Sequence, residues 1–259
     1  MSNNKDSIKN TLIVAFAVCL VCSVIVSVPA VKLRPLQKAN QQLEIKKNIL
    51  AAAGLLKDGP SIDEQFAVIN TQLVDLKTGR FSTDLDLASY NQRKASKDPK
   101  HSTALSREQD IASIKRLENY SKVYMVKNGG ELKTLILPIR GYGLWSTLRG
   151  FVAVNKDLNT IAGLGFYEHA ETPGLGGEVD NPKWKQQWLG KKLFDEAGAL
   201  QIAVKKGSVD PSIALEKAHQ VDGLSGATLT STGVTNLIRF WMGKDGFAPF
   251  LSHLKAGEV

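Results

Sequence analysis

The sequence predicts an α+β fold in which a single N-terminal transmembrane helix is followed by a soluble domain with an antiparallel sheet and flanking helices. Three observations carry this prediction. Thr11 to Val31 contains no charged side chain and is dominated by Leu, Ile, Val, Ala and Phe. Short apolar segments between residues 122 and 166 alternate with Gly- and Asn-containing turns, the pattern of an antiparallel sheet. The chain then closes on two segments with helical apolar spacing.

The apolar run suits one span of about 20 residues. It exceeds the roughly 7–15 residues of a signal-peptide core, although Val28-Pro29-Ala30 resembles a cleavage site. Lys5 and Lys9 precede it while Lys32, Arg34 and Lys38 follow, so charge alone assigns no orientation. The expected organisation is a short tail over residues 1–10, the span over 11–31, a juxtamembrane helix and linker over 32–60, and a soluble domain over 61–259.

Leu36 to Leu56 reads as a separate amphipathic helix, with Gly59-Pro60 punctuating its end. Ser61, with Glu64 three residues on, forms a capping-box pattern for a helix to about Asn70, and Thr71 to Leu76 reads as a strand. Residues 83–118 form an exposed insertion, polar up to His101 and without a sustained apolar period there. Strands are expected at Lys122 to Val126, Leu132 to Ile139, Leu144 to Val154 and Ile161 to Phe166. A helix at Asn181 to Leu189, a strand near Leu200 to Val204, and helices at Leu229 to Met242 and Phe247 to Lys255 complete the chain.

Composition narrows the function classes. With 259 residues, 43% of them hydrophobic and 22% charged, the chain can bury one substantial core. Its net charge of +8 is scattered and accompanied by no nucleic-acid recognition motif, which fits a domain beside anionic lipid or acidic partners. The only cysteines, Cys19 and Cys22, lie within the apolar span and leave the soluble domain without a thiol for a disulfide, zinc or iron–sulfur site. The four histidines show no zinc spacing, and no metal site or catalytic side chain is expected.

Three stretches carry chemistry. The first is Asp222-Gly223-Leu224-Ser225-Gly226-Ala227-Thr228, a small-residue loop entering a helix whose unpaired N–H groups and positive dipole end favour an anion such as phosphate. The same residues also fit a plain helix cap. In the second, His169 to Gly177, Pro173-Gly174 suits a type II turn, and the further glycines let backbone N–H groups approach a flat ligand, while Glu171 fits equally a solvated turn residue. The third, Gly141-Tyr142-Gly143-Leu144-Trp145-Ser146, places an aromatic at the start of a strand, as a stacking surface or as core, with the glycines relaxing the turn.

Together, behind a single anchor, these stretches resemble the C-subunit family of the bacterial Na+-translocating NADH:quinone oxidoreductases, whose domain binds FMN. The likeness covers essentially the whole chain. That family's flavinylation motif, Asp-x-x-Ser/Thr-Gly-Ala-Thr, is matched at every position from Asp222 to Thr228. The G subunit of the Rnf electron-transport complex shares this motif and Glu-Thr-Pro-Gly-Leu-Gly, and is the alternative family, whereas Gly141 to Ser146 resembles the first. A membrane-tethered flavin-binding sensor is the alternative of another class.

The resemblance implies covalent FMN attached through its phosphate to Thr228, with Ser225, Gly226 and Ala227 shaping the phosphate end and Asp222, counted with the cofactor-binding residues, read by the transferase. Glu171, Thr172, Gly174, Leu175 and Trp145 are the expected ring environment. It further implies a soluble domain in the periplasm behind a bacterial inner-membrane anchor, a flavin transferase that loads FMN from FAD, and partner subunits. The implied function is electron relay in a complex that oxidises NADH, reduces ubiquinone and moves Na+ out of the cytoplasm.

Overall fold

The computed structural model describes residues 7–258, so most of the expected tail lies outside the described residues. Two units emerge, Met1–Glu44 and Ile45–Val259.

The first element, α1 (Ile8–Ala52), runs unbroken through Pro29 and Pro35. The expected separation into a span and a second helix from Leu36 is therefore absent. Each proline removes one amide donor, a loss that membrane helices accommodate by local adjustment. The helix is long and apolar enough to cross a membrane. Leu12, Ile13, Val14 and Phe16 are all exposed, as are the apolar residues of the following turns, and a surface this apolar calls for lipid.

The helix ends before the expected Gly59-Pro60. Gly54 adopts φ +67, and Leu55 N–H donates to the Leu50 carbonyl at 2.8 Å while Gly54 N–H donates to Ala51. These two bonds close the last turn with a left-handed glycine, which no β-carbon obstructs.

The larger unit is built on one sheet. After α2 (Ile62–Phe66), capped by the predicted Ser61–Glu64 box but ending at Phe66 and not near Asn70, come β1 (Ile69–Asp75) and β2 (Arg80–Ser82). Then follow α3 (Gln92–Ala95), β3 (Ser102–Ala104) and β4 (Arg116–Glu118). Long strands β5 (Tyr120–Asn128), β6 (Glu131–Tyr142), β7 (Thr147–Asn155) and β8 (Ile161–Glu168) complete the sheet. Its order is β2-β1-β5-β6-β7-β8, antiparallel throughout.

Beyond β8 lie a 3-10 turn (Gly176–Asp180), α4 (Pro182–Gln186), β9 (Ala203–Val204), α5 (Ala214–His219), β10 (Gln220–Val221), α6 (Thr228–Met242) and α7 (Ala248–Ala256).

Both sheet faces are covered. Leu135, Leu137 and Ile139 of β6 enter the large core with Leu237, Trp241 and Phe250, whereas Ile136 between them joins Ile49, Leu50, Phe151 and Ala153. This is the period-two alternation of a strand buried on both sides. At Gly141 a β-carbon would overlap that of Leu237, so the glycine serves close packing of α6 on β6 and not the turn expected of it.

Residues 83–118 are not simply exposed. Ala95, Ser96, Ser102, Ala112 and Glu118 are buried, and Glu118 accepts hydrogen bonds from the Arg140 guanidinium and from Gln92 at 2.7 Å. A polar stretch can pack inward where its charges find partners, and Arg140 lies outside the window in which periodicity is read. The predicted strand from Leu144 begins only at Thr147.

Candidate functional site

Thr228 is the first residue of α6, and its side chain is exposed. Ala227 stands at the cap position with φ −128, and no side chain caps the first turn. The loop is therefore not an ordinary hydroxyl cap. Among the described residues the Thr228 hydroxyl has no hydrogen-bond partner, and the uncapped amides of the first turn offer donors and the positive dipole end of a 15-residue helix. Gly226 reaches φ +68, which turns the chain into the helix.

Asp222 is tied inward. Its carboxylate accepts from Val209 N–H at 2.7 Å and from the Gln187 amide at 3.0 Å, and its carbonyl accepts from Trp184 Nε1 at 2.8 Å. These bonds fix the start of the loop against α4 and the turn after β9. Ser225 is exposed, Ala227 is buried, and Leu224 N–H donates to the Ser231 hydroxyl at 3.0 Å.

A shallow pocket beside Thr228 is lined by Lys205, Lys206, Gly207, Gly223, Ser231 and Thr232. Lys205 pairs with Glu216, and Lys206 is exposed. These lysines escaped the sequence reading because they lie far from the loop in the chain and belong to no spaced pattern. The β9–β10 pairing, Ala203↔Gln220 and Val204↔Val221, brings them beside it.

The second stretch forms the predicted turn. Leu175 N–H donates to the Thr172 carbonyl at 3.1 Å across Pro173 and Gly174, and Gly174 has φ +76, as position three of a type II turn requires. Thr172, Gly174 and Leu175 are exposed. A β-carbon on Gly226 would stand 2.8 Å from Leu175 Cδ2, so this turn and the Asp222–Thr228 loop touch.

Glu171 occupies a different position from the one expected. It is only 5% exposed, and its Oε1 accepts from the amides of Trp145 at 3.0 Å and Ser146 at 3.1 Å, with Leu144 N–H shared at 3.2 Å to both oxygens. Oε2 accepts from the Thr230 hydroxyl at 2.7 Å. Burial raises the carboxyl pKa, and the Thr230 hydroxyl with the three amides lowers it by more, leaving it below its ordinary value. The acid is ionised, and both carboxylate oxygens accept hydrogen bonds from donors within the protein.

The third stretch is accordingly a loop. Residues 143–146 connect β6 to β7, closed by Gly143 N–H donating to the Ser146 carbonyl at 2.8 Å. Gly143 is a glycine for space, since a β-carbon there would lie 2.6 Å from Glu171 Oε1. Trp145, at 66% exposure, stands out of the fold with no ring partner among the described residues, which excludes the core reading. Ser146, the last residue of the third stretch, and Thr230, which belongs to none of the three, complete the Glu171 cluster; a single buried hydroxyl such as that of Thr230 carries no spacing signal.

Thus all three stretches meet: Glu171 joins Leu144–Ser146 to Thr230, and Leu175 joins Gly226. The FMN-binding domain family model matches residues 143–243, which spans this convergence from the loop to the end of α6. The C subunit of the Na(+)-translocating NADH-quinone reductase of Pseudomonas aeruginosa is 56% identical over 260 residues, covering 99% of each chain. The crystal structure of Shewanella oneidensis NqrC is similar at a TM-score of 0.77 and 37% identity, covering 84% of this chain and 99% of that one. The crystal structure of the corresponding C subunit from Parabacteroides distasonis has a TM-score of 0.64 at 26% identity, covering 85% of this chain and 97% of its own. With identity this high across its whole length, the chain belongs to the C-subunit family of the Na(+)-translocating NADH-quinone reductases.

Proposed function

We propose that this chain carries FMN as a phosphoester on Thr228 and relays electrons within a membrane complex. The observation that carries the reading is the exposed Thr228 hydroxyl, unpartnered among the described residues, at the uncapped start of α6. The donor set fits the phosphate end of a flavin: amide N–H groups at the dipole's positive end, with Lys205 and Lys206 lining the adjoining pocket. Trp145 and Leu175, both exposed, offer apolar surface of the kind a flat ring covers.

The Thr228 hydroxyl acts as the nucleophile during maturation. Its Oγ gains a bond to phosphorus from FAD as the FAD pyrophosphate bond breaks; AMP leaves, and the hydroxyl proton passes to a base of the flavin transferase. Ser225, Gly226 and Ala227 keep the backbone around Oγ accessible, and Asp222 holds the loop in register through Gln187 and Val209. A covalent bond fixes occupancy where free flavin is scarce, as in the periplasm, where this reading puts the domain behind its inner-membrane anchor.

Bound FMN supplies a centre that accepts and releases electrons one at a time. The chain contributes attachment, an apolar surround and fixed donors. Its partners are the remaining subunits, which together oxidise NADH, reduce ubiquinone and move Na+ outward. The stretch Thr11 to Val31 carries no carboxylate, so the ion path belongs to those subunits.

The test is the assembled complex with Thr228→Ala. Loss of NADH-driven quinone reduction is expected, with subunit assembly retained. Normal turnover would sink the relay and favour a sensor role.

A further inference from the structure

Glu171 sits where all three site segments meet, and its bonding is unusually complete. Three consecutive amides, Leu144, Trp145 and Ser146, converge on Oε1, which also accepts from the Ser146 hydroxyl at 3.3 Å. That hydroxyl in turn accepts from Ala170 N–H at 2.7 Å. Oε2 takes the Thr230 hydroxyl at 2.7 Å. Apart from that of the Ala170 amide, each of these protons points at the carboxylate, an acceptor-only group when ionised, and charge-assisted bonds of this kind are the stronger class.

The cluster is closely packed by two glycines. A β-carbon on Gly176 would lie 2.5 Å from Thr230 Oγ1 and 2.8 Å from Glu171 Oε2, and one on Gly143 would lie 2.6 Å from Oε1. Both glycines clear space for this one side chain. Thr230, fully buried, lies two residues past Thr228 in the first turn of α6. The carboxylate therefore connects the loop bearing Trp145 to the helix turn bearing Thr228.

We propose that Glu171 is a positioning residue: without touching the cofactor, it locks the Leu144–Ser146 loop to the first turn of α6, so that Trp145 and the Thr228 hydroxyl are preassembled before flavin arrives. The inference rests on Thr228 being the attachment point. It assigns Glu171 a role distinct from the ring contact that its place in the motif implies. Preassembly matters because a transferase must find the hydroxyl and the ring surface in fixed relation, and ordering them during the reaction would slow it.

The test uses the full chain in detergent, prepared free of flavin, as wild type, Glu171→Ala, Thr230→Val and Thr228→Ala. Amide hydrogen exchange is followed at residues 144–146 and, as a reference, in β6 and β7; the rate of flavin attachment by the transferase is then measured on the same samples. In Glu171→Ala, exchange at 144–146 rises on the order of tenfold while the strands stay protected, as expected from losing bonds to a charged acceptor. Attachment slows by a similar factor. Thr228→Ala keeps wild-type protection and takes no flavin.

Unchanged exchange at 144–146 in Glu171→Ala overturns the proposal, as does faster exchange with an unchanged attachment rate. If Glu171→Ala also unprotects the strands, Thr230→Val decides, because it removes one hydroxyl: slower attachment with intact strands supports the lock, and wild-type attachment overturns it. Flavin on Thr228→Ala would instead refute the attachment point, a result read independently of the exchange data.

Discussion

Leu175 lies over Gly226 so closely that a β-carbon on the glycine would stand 2.8 Å from Leu175 Cδ2. The contact joins the turn after β8 to the loop that delivers Thr228. It also explains why two segments about fifty residues apart must both be present for one site.

Gly226→Ala meets two penalties. The Leu175 tip can swing away at little cost, but φ +68 cannot relax without moving the loop, and an L-residue there costs about 1–2 kcal/mol. Thermal unfolding of the soluble unit should shift down accordingly, and flavin attachment should fall several-fold. Adding Leu175→Ala should restore neither, because the strain is in the backbone.

Glu171 ties stability to pH. Its folded-state pKa is lowered from the ordinary 4.5, so the carboxylate contributes stability above that value and loses it as pH falls through the lower folded value. The difference in unfolding free energy between wild type and Glu171→Gln should therefore be constant at neutral pH and shrink only below about pH 4.5. Chemical denaturation at a series of pH values measures it; a difference that grows on acidification contradicts the sign.

Lys206 lines the pocket beside Thr228 while exposed to solvent. Reversing its charge with Lys206→Glu should slow attachment by roughly three- to tenfold, the scale of an exposed charge near a helix terminus, with little change in melting temperature. Raising the salt concentration should narrow the gap between the two proteins. Equal rates at low salt would remove Lys206 from the phosphate environment.

Gly163 marks the close approach of α1's last turn to the sheet, for a β-carbon there would overlap the Ala52 carbonyl oxygen. Backbone cannot swing aside as a side-chain tip does. Gly163→Ala should destabilise the larger unit by about 1–3 kcal/mol, the range for overpacking, as read by urea unfolding in detergent.

The parts of this fold legible in sequence are those set by local pattern. The long strands β5 to β8, the start of α6 within one residue of Leu229, and the Pro173-Gly174 turn all follow from alternation, helical spacing or turn chemistry. Long-range partners account for the remainder. Leu144 and Trp145 read as strand, yet Glu171 gathers their amides into a loop. Glu118 reads as part of an exposed insertion, yet Arg140 pairs with it inside. Gly54, not Gly59, ends α1, because the carbonyls of Leu50 and Ala51 find their donors there.

The site divides in the same way. Thr228, Gly226, Leu175 and Trp145 are singled out by their places in motifs shared with the family, whereas the inward bonding of Asp222 and Glu171, and the approach of Lys205 and Lys206, depend on strand pairing and packing. A side chain's residue type states what it can bond, but only the fold decides which partner it meets.

Mass spectrometry of the peptide that contains Thr228, taken from protein matured with the transferase, tests directly whether FMN is esterified there. The peptide spanning Asp222 to Thr232 should carry one FMN through its phosphate, with fragmentation assigning the added mass to Thr228. The same mass on Ser225, Thr230, Ser231 or Thr232, or an unmodified peptide from a preparation that retains flavin after denaturation, would contradict it.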